Sequence, residues 1–208
     1  MKYINLVSIT LAWNTLKLFL SKIDRVKYIH KINELLETRY DNIGTEEINN
    51  QKQYIIISNH KSIYDIPIML ELLYSNELYN ISGIGKKKHI YSKVLKKLVA
   101  TEDGVPFPWA GDKNVISASL NIIKSGFSFL IFPEGQRNKS DENLQRFRKG
   151  VDSIVKKADL DILMFYIYKS NTIIKCGNRN IYVKYCIVAA EELENYTVEE
   201  LYKKKFEL

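Results

Sequence analysis

The chain has 208 residues, of which 46% are hydrophobic and 26% are charged. This composition is typical of a folded globular domain and excludes a disordered chain, and the length favours one domain over two. Lysine and arginine number 31 against 24 acidic residues, so the formal charge is +7. A basic excess favours anionic partners, namely phosphate groups, acidic lipid, an acidic carrier protein or nucleic acid, without choosing among them. Two cysteines, Cys176 and Cys186, predict neither a metal site nor a disulfide framework.

The N-terminal region is predicted to form an amphipathic helix. Polar residues interrupt it, so it falls short of the roughly 20 apolar residues that a membrane-spanning helix requires. No small-residue cleavage site follows it, as a signal peptide would require. Its apolar face is expected either to cover the domain core or to lie in a membrane interface. The apolar residues that recur at helical spacing are Leu6, Ile9, Trp13, Leu16 and Leu20.

Strands alternate with helices along the rest of the chain. Helices are predicted over 21–38, 66–74, 91–100, 113–124 and 149–158, with a last short helix opening at a capping box formed by Thr197 and Glu200. Strands are predicted over 54–58, 79–84, 105–108 (or a turn), 127–132, 162–168, 172–176 and 181–188, and a loop over 41–53. This order predicts a single α/β domain over residues 41–208, with a largely parallel or mixed central sheet flanked by helices, after an N-terminal helical segment over 1–40.

The strand predicted over 54–58 leads into a histidine, His60, and an aspartate follows at Asp65. An aspartate that holds one imidazole nitrogen leaves the other free to take a proton from a hydroxyl, so this pair is a candidate general base. The same residues have a structural explanation. Asp65 is predicted to cap the helix that follows it, and Ser62 and Asp65 have the spacing of a capping box. Both interpretations stay open at this point.

The strand predicted over 127–132 also ends in a polar turn. If the two strands are parallel neighbours, both turns open at the same carboxyl edge, where open α/β sheets bind ligands. Arg137 offers a planar guanidinium for a phosphate, and Gly135 lets backbone N–H groups approach a ligand closely. Alternatively, Glu134 and Arg137 form a surface ion pair. Four further cations crowd the same loop: Lys139, Arg146, Arg148 and Lys149.

The two segments NHKSIYD, at 59–65, and FPEGQRN, at 132–138, together resemble the first and third sequence blocks of the glycerolipid acyltransferases, the 1-acylglycerol-3-phosphate acyltransferase family. Five of the seven positions of the third block match, with Gln136 for a threonine and Asn138 for a serine. The resemblance covers about residues 54–168. The four fixed positions of the first block all match, at Asn59, His60, Ser62 and Asp65.

The resemblance implies a specific chemistry. His60, oriented by Asp65, would deprotonate an acceptor hydroxyl, which attacks the thioester of acyl-coenzyme A or acyl-carrier protein. No acyl-enzyme, metal or further cofactor is expected. Glu134 and Arg137 would bind or orient the acceptor headgroup and phosphate. The predicted substrate-binding residues are Asn59, Ser62, Glu134, Gly135, Arg137 and Lys149. The expected partners are a lysophospholipid, the acyl donor and an anionic membrane surface on its cytoplasmic face, with peripheral or interfacial attachment, and not nucleic acid.

One departure from the family leaves the acceptor open. The second block of the family carries an arginine that helps to bind the acceptor phosphate, and the corresponding segment here, EDGVPFPWAGDK at 102–113, has none. The same chemistry on another lysophospholipid, or on a hydroxyl acceptor without a phosphate, is therefore an alternative. A second alternative is a non-catalytic module that binds membrane or nucleic acid through the lysine-rich segment 86–97, although the sequence contains no nucleic-acid motif.

Overall fold

A computed structural model describes residues 22–85, 108, 111, 113–140, 142–168, 170, 172–173 and 179–208. The helices are α1 (Lys22–Leu36), α2 (Asp65–Ser75), α3 (Val115–Lys124), α4 (Gly150–Ala158) and α5 (Val198–Phe206), with a 3₁₀ helix at Ala190–Glu194. The strands are β1 (Arg39–Asn42), β2 (Ile55–Ser58), β3 (Ile81–Gly83), β4 (Ser128–Ile131), β5 (Ile162–Ile167) and β6 (Tyr182–Val188).

The described strands form one six-stranded sheet in the order β1-β6-β5-β2-β4-β3. The four strands β2, β3, β4 and β5 run parallel to one another, whereas β6 is antiparallel to β5 and β1 is parallel to β6. Strands β2, β4 and β5 are buried at every position, as expected for parallel strands that are covered on both faces. The predicted α/β class with a mixed central sheet is confirmed.

Helices cover both faces of the sheet. Side chains alternate between the faces of a strand, so Ile56 of β2 belongs to one core cluster while Ile55 and Ile57 belong to the other. The first cluster includes residues of α1 and α2, and the second includes residues of α3, α4 and α5. Ile29 of α1 is fully buried in the first cluster, so the described part of the N-terminal helical segment packs on the domain core. The division of the chain at residue 40 stays a prediction.

Two segments differ from the sequence-based expectation. The loop predicted over 41–53 begins inside β1. β1 is an edge strand that pairs only with β6, and a strand at this exposed position can have a polar sequence such as RYDN. The strand predicted over 172–176 is wrong at Thr172 and Ile173, which lie in a helical turn. The N–H of Ile173 bonds to the Ser170 carbonyl, and its side chain is buried, so packing overrides the strand preference of β-branched residues.

Several predictions fall on other parts of the chain. The N-terminal amphipathic helix, the helix over 91–100, the lysine-rich segment 86–97 and most of the strand or turn over 105–108 lie outside the described residues. Cys186 is a free, buried cysteine of β6.

Among the helices that the structure describes, none is both long enough and apolar enough to cross a membrane.

Candidate active site

The two polar turns singled out in the sequence open at one edge of the sheet. β2 and β4 are parallel neighbours in register, with Ile57 opposite Ile131. The turn that begins at Asn59 and the turn that begins at Phe132 therefore leave the sheet side by side, as expected. We call the edge at which β2, β4 and β5 end the active-site edge.

His60 and Asp65 form a hydrogen-bonded pair at this edge. The distance from His60 Nδ1 to Asp65 Oδ2 is 3.0 Å. The same carboxylate oxygen accepts the backbone N–H groups of Lys61, at 2.7 Å, and Ser62, at 2.8 Å. Asp65 is fully buried, whereas the His60 side chain keeps 16% of its surface exposed. The aspartate is therefore held on the turn and fixes the imidazole, leaving Nε2 available to a substrate.

The prediction that Asp65 caps the following helix is wrong. Asp65 is the first residue of α2, and Tyr64 is the N-cap, without a side-chain capping bond. The Asp65 carboxylate points back to the preceding turn because three donors converge there. Only one half of the predicted capping box forms: Ser62 N–H donates to Asp65, but Ser62 Oγ accepts from Tyr64 N–H, at 3.2 Å.

The imidazole and the backbone of His60 are positioned by the turn that follows β4. The imidazole stacks on the ring of Phe132, with centroids 3.9 Å apart and an interplanar angle of 22°. The His60 N–H donates to Glu134 Oε1 at 2.8 Å, and the His60 carbonyl accepts the N–H of Asn138 at 2.6 Å. The candidate base is thus held by its ring, its N–H and its carbonyl.

Glu134 links three chain segments through its two carboxylate oxygens. One accepts the His60 N–H, and the other accepts the N–H of Gln145 at 2.9 Å. Burial raises the pKa of Glu134, and the two backbone N–H groups oppose that rise. The alternative surface ion pair with Arg137 is not formed, because Glu134 is buried and bonds to backbone groups. In this arrangement Glu134 acts first as a positioning residue.

Asn59 and Ser62, both predicted to bind substrate, are buried side chains that bond to the backbone. The Asn59 amide donates to the Ile167 carbonyl at 3.0 Å and accepts the Ile167 N–H at 2.9 Å, which extends the pairing of β2 with β5. Asn59 is 1% exposed and Ser62 is 2% exposed. Their observed contacts shape the turn that carries His60, and a direct contact with substrate stays a prediction.

Gly135, Arg137 and Lys149, the other predicted substrate-binding residues, are exposed on the loop after β4. Gly135 has a φ of +73°, in the left-handed region that favours glycine. Among the described residues, neither Arg137 nor Lys149 forms an ion pair with a carboxylate. These cations are therefore available to an anionic ligand.

Sequence reasoning missed three residues that hold the site. Phe132 and Asn138 belong to the segment that carries the third block, but that resemblance does not indicate that they contact His60. Tyr202 of α5 accepts the Asn59 N–H at 3.1 Å and donates to the Phe165 carbonyl. No local signal marks this tyrosine, because its partners lie far away in the sequence. Within the described ranges, no group of three or more His, Cys, Asp or Glu side chains is arranged to hold a metal.

The His60–Asp65 pair at the carboxyl edge of this α/β sheet has the geometry of a candidate general base. Residues 39–168 match the family model described as Acyltransferase. This segment is more than half of the chain, and the chain belongs to the acyltransferase family. The resemblance to glycerolipid acyltransferases is therefore confirmed at the level of the family.

The proteins to which the chain is similar include the following two. One is the chloroplastic 1-acyl-sn-glycerol-3-phosphate acyltransferase BAT2 of Brassica napus, which is 25% identical over 130 residues, or 61% of this chain and 36% of that protein. The chain thus spans about a third of the length of this curated relative. The other is the crystal structure of PlsC, a 1-acyl-sn-glycerophosphate (LPA) acyltransferase from Thermotoga maritima, with a TM-score of 0.66 and 20% identity over 100% of this chain and 94% of that one. At that identity the structural match establishes the fold alone.

Proposed function

We propose that the protein transfers a fatty acyl group from a thioester donor, acyl-coenzyme A or acyl-carrier protein, to the hydroxyl of 1-acylglycerol-3-phosphate. The observation that carries this proposal is the 3.0 Å contact between His60 Nδ1 and Asp65 Oδ2. It supplies an oriented base at an edge of the sheet that also presents unpaired cations. The Brassica relative is named for this activity, and the Thermotoga protein is named as an LPA acyltransferase, which supports the choice of acceptor.

The chemistry follows from the orientation of the imidazole. Asp65 accepts the Nδ1–H, so Nε2 removes the proton of the acceptor hydroxyl as its oxygen attacks the thioester carbonyl. The tetrahedral intermediate then collapses, the C–S bond breaks, and the leaving thiolate takes the proton from Nε2–H. An ester and a free thiol are formed, and His60 returns to its starting state. No covalent acyl-enzyme and no metal take part in this sequence.

The cations on the loop after β4 support an anionic acceptor. Arg137 and Lys149 are exposed and follow the strand that neighbours β2, so a phosphate bound there lies on the same side of the sheet as His60. The absence of an arginine from segment 102–113 is the observation that favours a second candidate. In that case the same transfer takes place on another lysophospholipid or on a hydroxyl acceptor without a phosphate.

The proposed place of action is the cytoplasmic face of an anionic membrane, with peripheral or interfacial attachment. The formal charge of +7 and the lipid nature of the acceptor support it. So does Ile63, which lies on the turn between His60 and Asp65 and is 52% exposed, the largest exposed fraction among the large hydrophobic residues that the structure describes. An apolar side chain at the same edge of the sheet as exposed cations suits the boundary between headgroups and acyl chains.

The test is acyl transfer by the purified wild type and His60→Ala, with both donors and with lysophosphatidate and a panel of other acceptors in detergent. Loss of the base is expected to lower turnover of lysophosphatidate by about 10²–10⁴-fold. His30→Ala is the matched control, because His30 also contacts a carboxylate through Nδ1, that of Glu71 at 2.7 Å, but on an exposed helical surface. Turnover of His30→Ala should equal that of the wild type.

The outcomes of this test distinguish an error in the acceptor, in the base and in the reaction itself. Transfer that prefers a phosphate-free acceptor would keep the mechanism and replace the acceptor. Transfer that survives in His60→Ala would refute the role of His60 as the base. An absence of transfer from either donor to every acceptor would refute the proposed reaction.

A further inference from the structure

Arg148 lies against the turn that follows β4. Its backbone N–H donates to the Pro133 carbonyl at 2.9 Å. A Cβ atom added to Gly135 would lie 3.1 Å from Arg148 Nε and 3.2 Å from Arg148 Cγ. The Arg148 side chain therefore occupies the space that a side chain at position 135 would need. Two features therefore favour glycine at position 135: its positive φ and the close approach of this arginine.

This position connects Arg148 to the candidate base through one short turn. Gly135 follows Glu134, whose carboxylate accepts the His60 N–H at 2.8 Å. The stem of the Arg148 side chain thus packs next to the residue that holds the His60 backbone. Few rotations are left to the part of the side chain that is packed on Gly135, so less entropy is lost when its guanidinium binds a ligand.

No carboxylate of the described part of the chain neutralises Arg148. It takes part in none of the ion pairs found there, and its side chain is exposed. The nearest carboxylate along the turn is that of Glu134, and each of its oxygens accepts a hydrogen bond from a backbone N–H group. Arg146, two residues earlier, differs because it interacts electrostatically with Glu199 of α5. A guanidinium that is seated by packing but lacks an anionic partner suits bidentate binding of a phosphate.

We infer that Arg148 binds the phosphate of the acceptor, as a second guanidinium beside Arg137, while the acceptor hydroxyl reaches His60. This inference rests on the proposed function and deepens it, because it names the residue that makes a phosphate-bearing acceptor preferable to a phosphate-free one. The acceptor phosphate and the phosphates of coenzyme A share the same chemistry. The choice of donor in the experiment separates the two sources.

The experiment measures kcat and KM for lysophosphatidate with acyl-carrier protein as donor, which carries no nucleotide, and repeats the measurement with acyl-coenzyme A. In Arg148→Ala, the KM for lysophosphatidate should rise roughly 10-fold or more with both donors, while kcat changes little, because a charge-assisted contact is lost. The KM of Arg148→Lys for lysophosphatidate should lie between those of the wild type and Arg148→Ala, since lysine keeps the charge and lacks the planar guanidinium. Arg146→Ala is the matched control and should behave as the wild type.

A second readout does not depend on turnover. Binding of lysophosphatidate to the His60→Ala protein should weaken by a similar factor when Arg148→Ala is added. An unchanged KM and unchanged binding in Arg148→Ala would overturn the inference while leaving the proposed function in place. The concentration of acyl-coenzyme A is varied as well, and a rise in its KM with an unchanged KM for lysophosphatidate would assign Arg148 to the donor and also overturn the inference. Equal losses of kcat and thermal stability in both Arg148 variants would indicate a structural role instead. A wild type that does not acylate lysophosphatidate would remove the proposed function itself.

Discussion

Glu134 holds His60 by accepting its backbone N–H. Its two oxygens accept the N–H groups of His60 and Gln145, so one buried carboxylate fixes both the turn of the base and the far end of the cation-bearing loop. A buried carboxylate with two donors is hard to replace, because any neutral substitute leaves a donor unpaired. We therefore expect Glu134 to serve the proposed reaction by holding the candidate base in place.

The substitution Glu134→Gln tests this role. A glutamine has one acceptor oxygen, and its NH₂ group would face one of the two N–H donors, so we expect a loss of about 1–3 kcal/mol of stability and a lower kcat. Thermal denaturation and steady-state kinetics measure both. A variant with wild-type kcat would show that the carboxylate does not position His60.

The same substitution should change the pH dependence of stability. Burial raises the pKa of Glu134, so the folded state keeps this proton to higher pH than the unfolded state does. Stability from this group is therefore present below the ordinary glutamate pKa and is lost as pH rises through the folded pKa. Glu134→Gln should lack this decline. Glu200→Gln is the control of opposite sign, because bonds from Thr197 lower the pKa of Glu200, so its contribution is lost as pH falls.

At the scale of elements, the last helix is tied to the strand that carries the base. The hydroxyl of Tyr202 in α5 accepts the N–H of Asn59 and donates to the carbonyl of Phe165 in β5. α5 also begins with the predicted capping box, in which Thr197 accepts the Glu200 N–H. The N-terminus and the buried face of this helix therefore have different roles: the N-terminus stabilises the helix, and the buried face holds the end of β2.

Paired substitutions separate these roles. Tyr202→Phe leaves the Asn59 N–H and the Phe165 carbonyl unpaired in the core, so we expect a loss of about 1–3 kcal/mol together with a fall in kcat. Thr197→Ala should cost about 1 kcal/mol through the lost cap and leave kcat unchanged. Denaturant titration gives the stabilities, and kinetics well below the melting temperature gives kcat. If kcat follows stability in both variants alike, α5 has no specific influence on the site.

Much of this arrangement could be predicted because its signals are local. Runs of buried apolar residues marked β2, β4 and β5, and the five-residue spacing of His60 and Asp65 predicted their pairing. β1 was missed because an edge strand needs no apolar pattern. The contact of Glu134 with His60 was missed because the two residues are 74 positions apart, and no local sequence pattern indicates a hydrogen bond from a backbone N–H to so distant a side chain.

At the scale of the whole molecule, the two edges of the sheet differ in what they expose. Ile63 lies at the active-site edge, together with Arg137, Arg148 and Lys149, which form no ion pair within the described ranges. Ile43 is 39% exposed and directly follows β1, which runs antiparallel to β2, so it lies at the opposite edge. The proposed membrane contact is therefore assigned to the active-site edge, and Ile43 at the opposite edge provides the control position.

We expect Ile63→Asp to weaken binding to vesicles that contain phosphatidylglycerol by about 10-fold, since a half-exposed apolar side chain can no longer be buried in the lipid interface. Ile43→Asp should bind as the wild type does. Co-sedimentation with vesicles of increasing phosphatidylglycerol content measures both. Equal binding by the two variants and the wild type would place the membrane contact on another surface.

The position of β2 between β4 and β5 has a consequence for the chain as it is synthesised. β2 has no sheet neighbour that precedes it in the sequence, and its pairing with β4 joins residues 74 positions apart, such as Ile55 and Phe129. At typical translation rates, roughly 4–15 s pass between the emergence of these two segments from the ribosome. During that time the apolar strand that leads to His60 lacks both flanking strands, so we expect the nascent chain to be a substrate for chaperones that bind exposed hydrophobic segments.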